Sequence, residues 1–134
     1  LDFGYGPGSY IKPLAQLIGP RGKIYALDIN PLALNRVKRI VSRKQLKNVI
    51  TILSQDRIAL GDSTLDLVLL YDTLHELKKP DEILKEIHRV LKPEGKLSVS
   101  DHHLEESEIM STITQRGWFQ LVGKGQRTLS FLKV

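Results

Sequence analysis

Along this chain the spacing of apolar residues switches repeatedly between short β-branched or continuous runs and a period near 3.6, with only brief interruptions. Such alternation restricts the fold to strands crossed over by helices, and therefore to a largely parallel sheet. Leu1–Phe3, Lys23–Asp28, Val49–Leu53, the apolar run Leu67–Tyr71 and Lys96–Ser100 read as strands. Helices are predicted from Ser9, as N-cap, to Ile18, from Pro31 to about Lys44, from Asp81 through Val90 and Leu91, and from Glu105 to Arg116. Pro93-Glu94-Gly95 is expected to separate the third helix from the strand after it. Trp118–Val122 and Thr128–Val134 are joined only by the turn Gly123-Lys-Gly125, which requires antiparallel neighbours. The expected fold is α/β: one domain over residues 1–134, a doubly wound, mostly parallel Rossmann-like sheet with an antiparallel C-terminal hairpin.

Composition serves mainly to exclude. The 134 residues contain no cysteine, which removes disulfides, thiolate nucleophiles and cysteine-ligated zinc and fits a reducing, cytoplasmic location. No apolar run approaches the roughly 20 residues that span a bilayer, and no basic-then-apolar leader opens the chain. The chain starts at Leu1 without Met, so an upstream segment is expected to be missing. The net charge is +5, and residues 31–50 hold six Lys/Arg and no acid. That stretch could meet RNA phosphates, but it interleaves no aromatics for base stacking, and a solvated helix face accounts for it.

In an open α/β sheet the ligand sits beyond the carboxyl ends of the strands. The residues there are Asp2 with Gly4, Gly6 and Gly8; Asp28; Asp56; Tyr71 with Asp72; and Asp101 with His102 and His103. A loop of alternating glycines lets backbone approach a ligand closely. A dinucleotide is the obvious occupant, but Ser9 stands where its third glycine would fall, and Asp2 places a carboxylate beside the cradle. That carboxylate opposes phosphate and favours an ammonium or sulfonium group. Asp28 can accept from both hydroxyls of a ribose, or cap the helix at Pro31, a role open also to Asn30. Asp56 can accept from an exocyclic amine, and Ile29 and Ile58 can wall a flat base. These positions describe a cationic, phosphate-free adenine nucleoside, as S-adenosylmethionine is.

The stretches LDFGYGPGSY, IYALDIN, SQDRIAL with STLDLVLLYDTLHEL, and HRVLKPEGKLSVSD resemble, in order and spacing over residues 1–101, the class I S-adenosylmethionine-dependent methyltransferases of the small-molecule type that includes the ubiquinone/menaquinone-biosynthesis enzymes. The resemblance implies the class I methyltransferase fold without the N-terminal helices that commonly cover the acceptor. It further implies that Asp2, Gly4, Tyr5, Gly6 and Gly8 hold the methionine part, Asp28 the ribose and Ile29 the adenine. Asp56 and the Arg57 backbone would meet the adenine amine, and Tyr71 and Asp72 the methionine and acceptor side. Tyr5 replaces the family's usual small residue, and Gln55-Asp56 replaces its usual Gly-Asp.

Methyl transfer from a sulfonium is an in-line displacement that yields S-adenosylhomocysteine, and the protein mainly aligns the acceptor and excludes water. A base is needed where a small-molecule acceptor carries a proton; among Asp72, His75, Asp101, His102 and His103, the expected catalytic pair is Asp72 and His75. Asp72, Asp101 and His102 could also converge on a divalent cation, but no metal is expected. Without cysteine, cytosine-C5 and arsenite methylation are excluded, and Asp72-Thr73-Leu74-His75 lacks the Pro-Pro-aromatic motif of amino-methylating nucleic-acid enzymes. The alternatives are an RNA methyltransferase, a non-catalytic S-adenosylmethionine-binding protein and an NAD-dependent oxidoreductase.

Overall fold

The apolar residues Ile24 and Ala26, on one face of a strand, can be buried only if helices return across that face, and the first third of the chain does this twice. The computed structural model describes residues 1–4, 8–54 and 57–134. They fall into two compact units, Leu1–Gln55 and Asp56–Val134.

The first unit runs β1 (Asp2–Phe3), α1 (Ile11–Ile18), β2 (Ile24–Asp28), α2 (Pro31–Lys44) and β3 (Val49–Leu53). β2 lies between the other two strands and is parallel to both, with Asp2 level with Ala26 and Asp28 level with Leu53. Ile24 and Ala26 project to one side of β2, where Ile11 and Ala15 of α1 and Ala33 and Val37 of α2 cover them. Asn30 caps α2 by accepting the Leu32 N–H at 2.9 Å, and Pro31 occupies the first turn, where no N–H is missed. α1 begins one residue later than predicted: Tyr10, not Ser9, is the N-cap, and no side chain caps it. Asn48 ties the end of α1 to β3 by donating to the carbonyls of Ala15 and Gly19.

The second unit runs β4 (Leu65–Tyr71), a single 3₁₀ turn (Leu74–Glu76), α3 (Pro80–Val90), β5 (Leu91–Ser100), α4 (Glu106–Thr114), β6 (Phe119–Lys124) and β7 (Leu129–Lys133). β4 and β5 are parallel. β7 pairs antiparallel with β6, as the short connection between them requires, and with β5 on its other side; β6 runs on through Gly123 and Lys124, so the turn starts at Gly125, two residues later than predicted. Pro93-Glu94-Gly95 does not separate α3 from the next strand. β5 begins at Leu91, directly after α3, and the pairing jumps from Leu65–Leu91 to Leu67–Lys96. The extra residues are absorbed as a bulge, with Glu94 at φ +66°. Leu67 is correspondingly exposed, whereas Val68, Leu69 and Leu70 are buried as predicted. α4 opens on a capping box in which Glu105 and Glu108 each accept the other's backbone N–H. Arg89 lashes residues 58–62 to α3, donating to the carbonyls of Ile58 and Leu60 and to the carboxylates of Asp62 and Glu86. Among the described residues no helix is long and apolar enough to cross a membrane.

Candidate functional site

In the first unit the chemistry gathers where β1 and β2 end. The parallel register carries Asp28 two residues past the level of Asp2. Asp2 is only 2 % exposed, and its Oδ2 has no hydrogen-bond partner among the described residues. Burial pushes its carboxyl from 3.8 up to about 6, and the neighbouring Asp28 charge adds to the rise. Buried carboxylate oxygens ordinarily find a donor, so an orphaned one marks a place where a further donor is expected. The chain then turns at Gly4, which sits at φ +70° and donates to the Leu27 carbonyl at 2.7 Å. Gly8 is buried at φ +80°, and a Cβ there would come within 3.0 Å of Val37 Cγ2 and 3.2 Å of Ile40 Cδ1. Both glycines hold a left-handed conformation that other residues resist.

Asp28 is half-buried, and its Oδ1 accepts the Asn30 N–H at 3.0 Å; capping of α2 falls to Asn30. Ile29 is 58 % exposed, as a wall for a flat group must be. Ile58 is buried, with its N–H donated to Glu86, so it belongs to the core of the second unit. Arg57 is exposed. Tyr5, Gly6 and Asp56 lie outside the described residues.

In the second unit the ends of β4 and β5 carry two crossed aspartate–histidine pairs. Asp101, after β5, accepts the His75 N–H at 3.0 Å and holds His75 Nδ1 at 2.8 Å, while its other oxygen accepts the His103 N–H. Asp72, after β4, reciprocates toward the other strand, accepting the His102 N–H at 3.0 Å and holding His102 Nδ1 at 2.5 Å. The His103 ring lies between the other two, with centroids 4.1 Å from His75 and 4.0 Å from His102. Burial alone would raise the Asp101 carboxyl, but the hydrogen bonds from His75 and His103 hold it below the usual range. The His102 N–H, above all, lowers Asp72 likewise. An ionised carboxylate only accepts, so in each contact Nδ1 is the donor, and Nε2 is the acceptor nitrogen of the neutral ring.

Asp72 itself stands at φ +50°, a conformation aspartate tolerates better than most. With its carboxylate engaged by His102, it is placed as an anchor more than as a base. The Tyr71 hydroxyl is paired with Ser98 Oγ at 2.9 Å, and buried Thr73 donates to the Tyr71 carbonyl. The sequence reading treated Asp101 as one more candidate base; its grip on His75 is the feature it missed.

The alternating architecture with acidic, glycine-lined strand ends defines a nucleoside-binding α/β fold, and the chain belongs to the methyltransferase domain family, whose model matches residues 1–99. It is 32 % identical over 120 residues to demethylmenaquinone methyltransferase of Lactobacillus johnsonii, covering 88 % of this chain and 48 % of that protein. It is also 32 % identical over 121 residues to the ubiquinone/menaquinone biosynthesis C-methyltransferase UbiE of Hydrogenovibrio crunogenus, covering 88 % and 46 %. The chain thus spans about half the length of these curated relatives. Among solved structures, a SAM dependent methyltransferase from Aquifex aeolicus matches with a TM-score of 0.84 at 27 % identity, over 98 % of this chain and 79 % of that one.

Proposed function

We propose that this chain is the S-adenosylmethionine-binding and catalytic part of a methyltransferase that acts on a small molecule in the cytoplasm. The observation that carries the reading is the orphaned, buried Asp2 oxygen at the end of β1, beside Asp28 on the neighbouring strand. A carboxylate so placed suits a cation and repels a pyrophosphate, which disfavours a dinucleotide. The family membership and the Aquifex aeolicus neighbour support the same cofactor.

When bound, S-adenosylmethionine supplies a methyl group already attached to a good leaving group. In this reading Asp2 opposes the ligand's positive charge, the turn at Gly4 and Gly8 lets backbone come close to it, Asp28 accepts from its ribose hydroxyls and Ile29 packs on its base. Tyr71, Asp56 and Arg57 are proposed as further cofactor-binding residues. His75 takes the proton the acceptor loses, through Nε2, while Asp101 fixes the tautomer and steadies the imidazolium. Asp72 acts through His102. The acceptor is therefore a small molecule with a removable proton, consistent with the quinone names of the relatives.

Calorimetry with S-adenosylhomocysteine and with NAD tests the cofactor; NAD binding without a response to S-adenosylhomocysteine overturns it. Turnover of labelled donor in a metabolite extract tests the enzyme, and binding without any methylated product leaves only a binding protein.

A further inference from the structure

Charge is segregated along this chain. Residues 1–55 hold nine Lys/Arg against only Asp2 and Asp28, whereas residues 56–134 hold eleven against thirteen Asp/Glu. The ion pairs follow the acids: Arg89 with Asp62 and Glu86, Lys79 with Glu82, Lys92 with Asp66 and Arg116 with Asp81 all belong to the second unit. Among the described residues, Arg36, Lys38, Arg39, Arg43 and Lys44 of α2, and Lys47 beyond it, have no hydrogen-bond or ion-pair partner for their side chains. An ordinary solvated helix face mixes signs, because like charges three or four residues apart repel. Here Arg36, Arg39 and Arg43 follow one another at that spacing with no acid from Pro31 to Ile50.

Ala33 and Val37 turn the opposite side of α2 outward. There Asn35, Lys38, Arg39, Ser42 and Arg43 line a shallow hollow of ≈ 440 Å³. Apolar side chains stand out on the same two helices. Leu32, at the start of α2, is 65 % exposed, and Leu17 of α1 is 83 % exposed. α1 packs on the same residues of β2 as α2 does, so the two helices lie side by side.

We propose that the outward side of α1 and α2 docks on an anionic lipid bilayer, its cations meeting phosphate headgroups while Leu17 and Leu32 enter the boundary between headgroups and chains. Four to eight clustered Lys/Arg are the usual number for such attachment, and neighbouring apolar side chains add to it. Nucleic acid fits less well: residues 31–50 hold no aromatic for base stacking, and exposed leucines gain nothing from a phosphate backbone. The proposal stands independently of the methyl-transfer reading.

Sedimentation of the full chain with vesicles of phosphatidylcholine, alone or mixed with phosphatidylglycerol, tests it. Binding is expected only to the mixed vesicles and weakens as salt is added. The triple variant Lys38→Gln/Arg39→Gln/Arg43→Gln is expected to lower the partition coefficient at least about tenfold, and Leu17→Ser/Leu32→Ser is expected to lower it several-fold. All five side chains are exposed, and circular dichroism checks that the variants keep the fold. The salt series on the unaltered chain needs no variant. Equal binding to both vesicles, no binding to either, salt-insensitive binding, or displacement from mixed vesicles by single-stranded RNA at equal phosphate would each overturn the proposal.

Discussion

Asp101 holds His75 at both ends of the residue, accepting its backbone N–H at 3.0 Å and facing its Nδ1 at 2.8 Å from a side chain with no exposed surface. The His75 ring is thereby fixed while about a quarter of its side chain faces solvent. If His75 is the base, Asp101 is its positioning residue, and Asp101→Asn, which keeps the shape but favours the wrong tautomer, should lower kcat by about 100-fold or more with little change in KM. A purely structural role would not separate kcat from KM in that way. Because the folded Asp101 carboxyl is held below its unfolded value, its contribution to stability is present above the usual carboxylate range and disappears as pH falls through the folded value. Acid unfolding of Asp101→Asn should accordingly be less steep.

The Asp2 carboxyl has the opposite sign. Its folded value, about 6, lies above the unfolded 3.8, so the folded state binds the proton more tightly. Stability then falls as pH rises from about 4 to 6 and stays low above that, a cost of about 3 kcal/mol at neutral pH for an ionised group with no partner. Asp2→Asn should raise the thermal midpoint of the free protein at pH 7, and the gain should vanish below pH 4. The same substitution should weaken S-adenosylmethionine binding by at least tenfold, since the charge opposing the ligand is gone. For the unaltered protein, affinity should fall as pH drops through about 6. A destabilised Asp2→Asn at pH 7 would show that the orphaned oxygen is no liability in the free state.

The strand-end chemistry of the first unit was legible in the sequence because it is local. Asp2, Gly4 and Gly8 fall within seven residues of sequence, and Asp28 ends a recognisable strand. The crossed pairs of the second unit were not legible, because His75 and Asp101 stand 26 residues apart and meet only through the register that sets Tyr71 level with Ser100. The Asp72 N–H extends that ladder to the Ser100 carbonyl at 2.7 Å and brings the two loops level. Local signals also misled at two boundaries. Pro93-Glu94-Gly95 has the composition of a turn yet sits inside β5 as a bulge, and Ser9 has the chemistry of a cap yet lies one residue before the one the backbone uses. In both places tertiary pairing, which composition does not encode, decided the outcome.

Gly8 gives a test of the turn that needs no ligand. At φ +80° an alanine would carry a left-handed penalty of about 1–2 kcal/mol, and its Cβ would crowd Val37 Cγ2 at 3.0 Å and Ile40 Cδ1 at 3.2 Å. Those neighbours are side-chain termini that can yield slightly, so the expected loss in urea unfolding is about 2 kcal/mol, with the slope unchanged. A neutral Gly8→Ala would mean the loop relaxes to a right-handed conformation without cost.

Asp28 separates ribose recognition from helix capping, because Asn30 already caps α2 by accepting the Leu32 N–H, whereas Asp28 accepts the Asn30 N–H from outside the helix. Asp28→Ala should therefore leave the unfolding midpoint nearly unchanged, while Asn30→Ala should lower stability by about 1 kcal/mol. In binding the order reverses. Removing a charged double acceptor should cost about 1.5–3 kcal/mol of affinity for S-adenosylhomocysteine, or roughly 10- to 100-fold. An analogue lacking both ribose hydroxyls should bind Asp28→Ala and the unaltered protein alike, since neither complex then has the hydrogen bonds that Asp28 would supply. Calorimetry on the two proteins and two ligands closes that cycle, and additive losses across it would place the ribose away from β2.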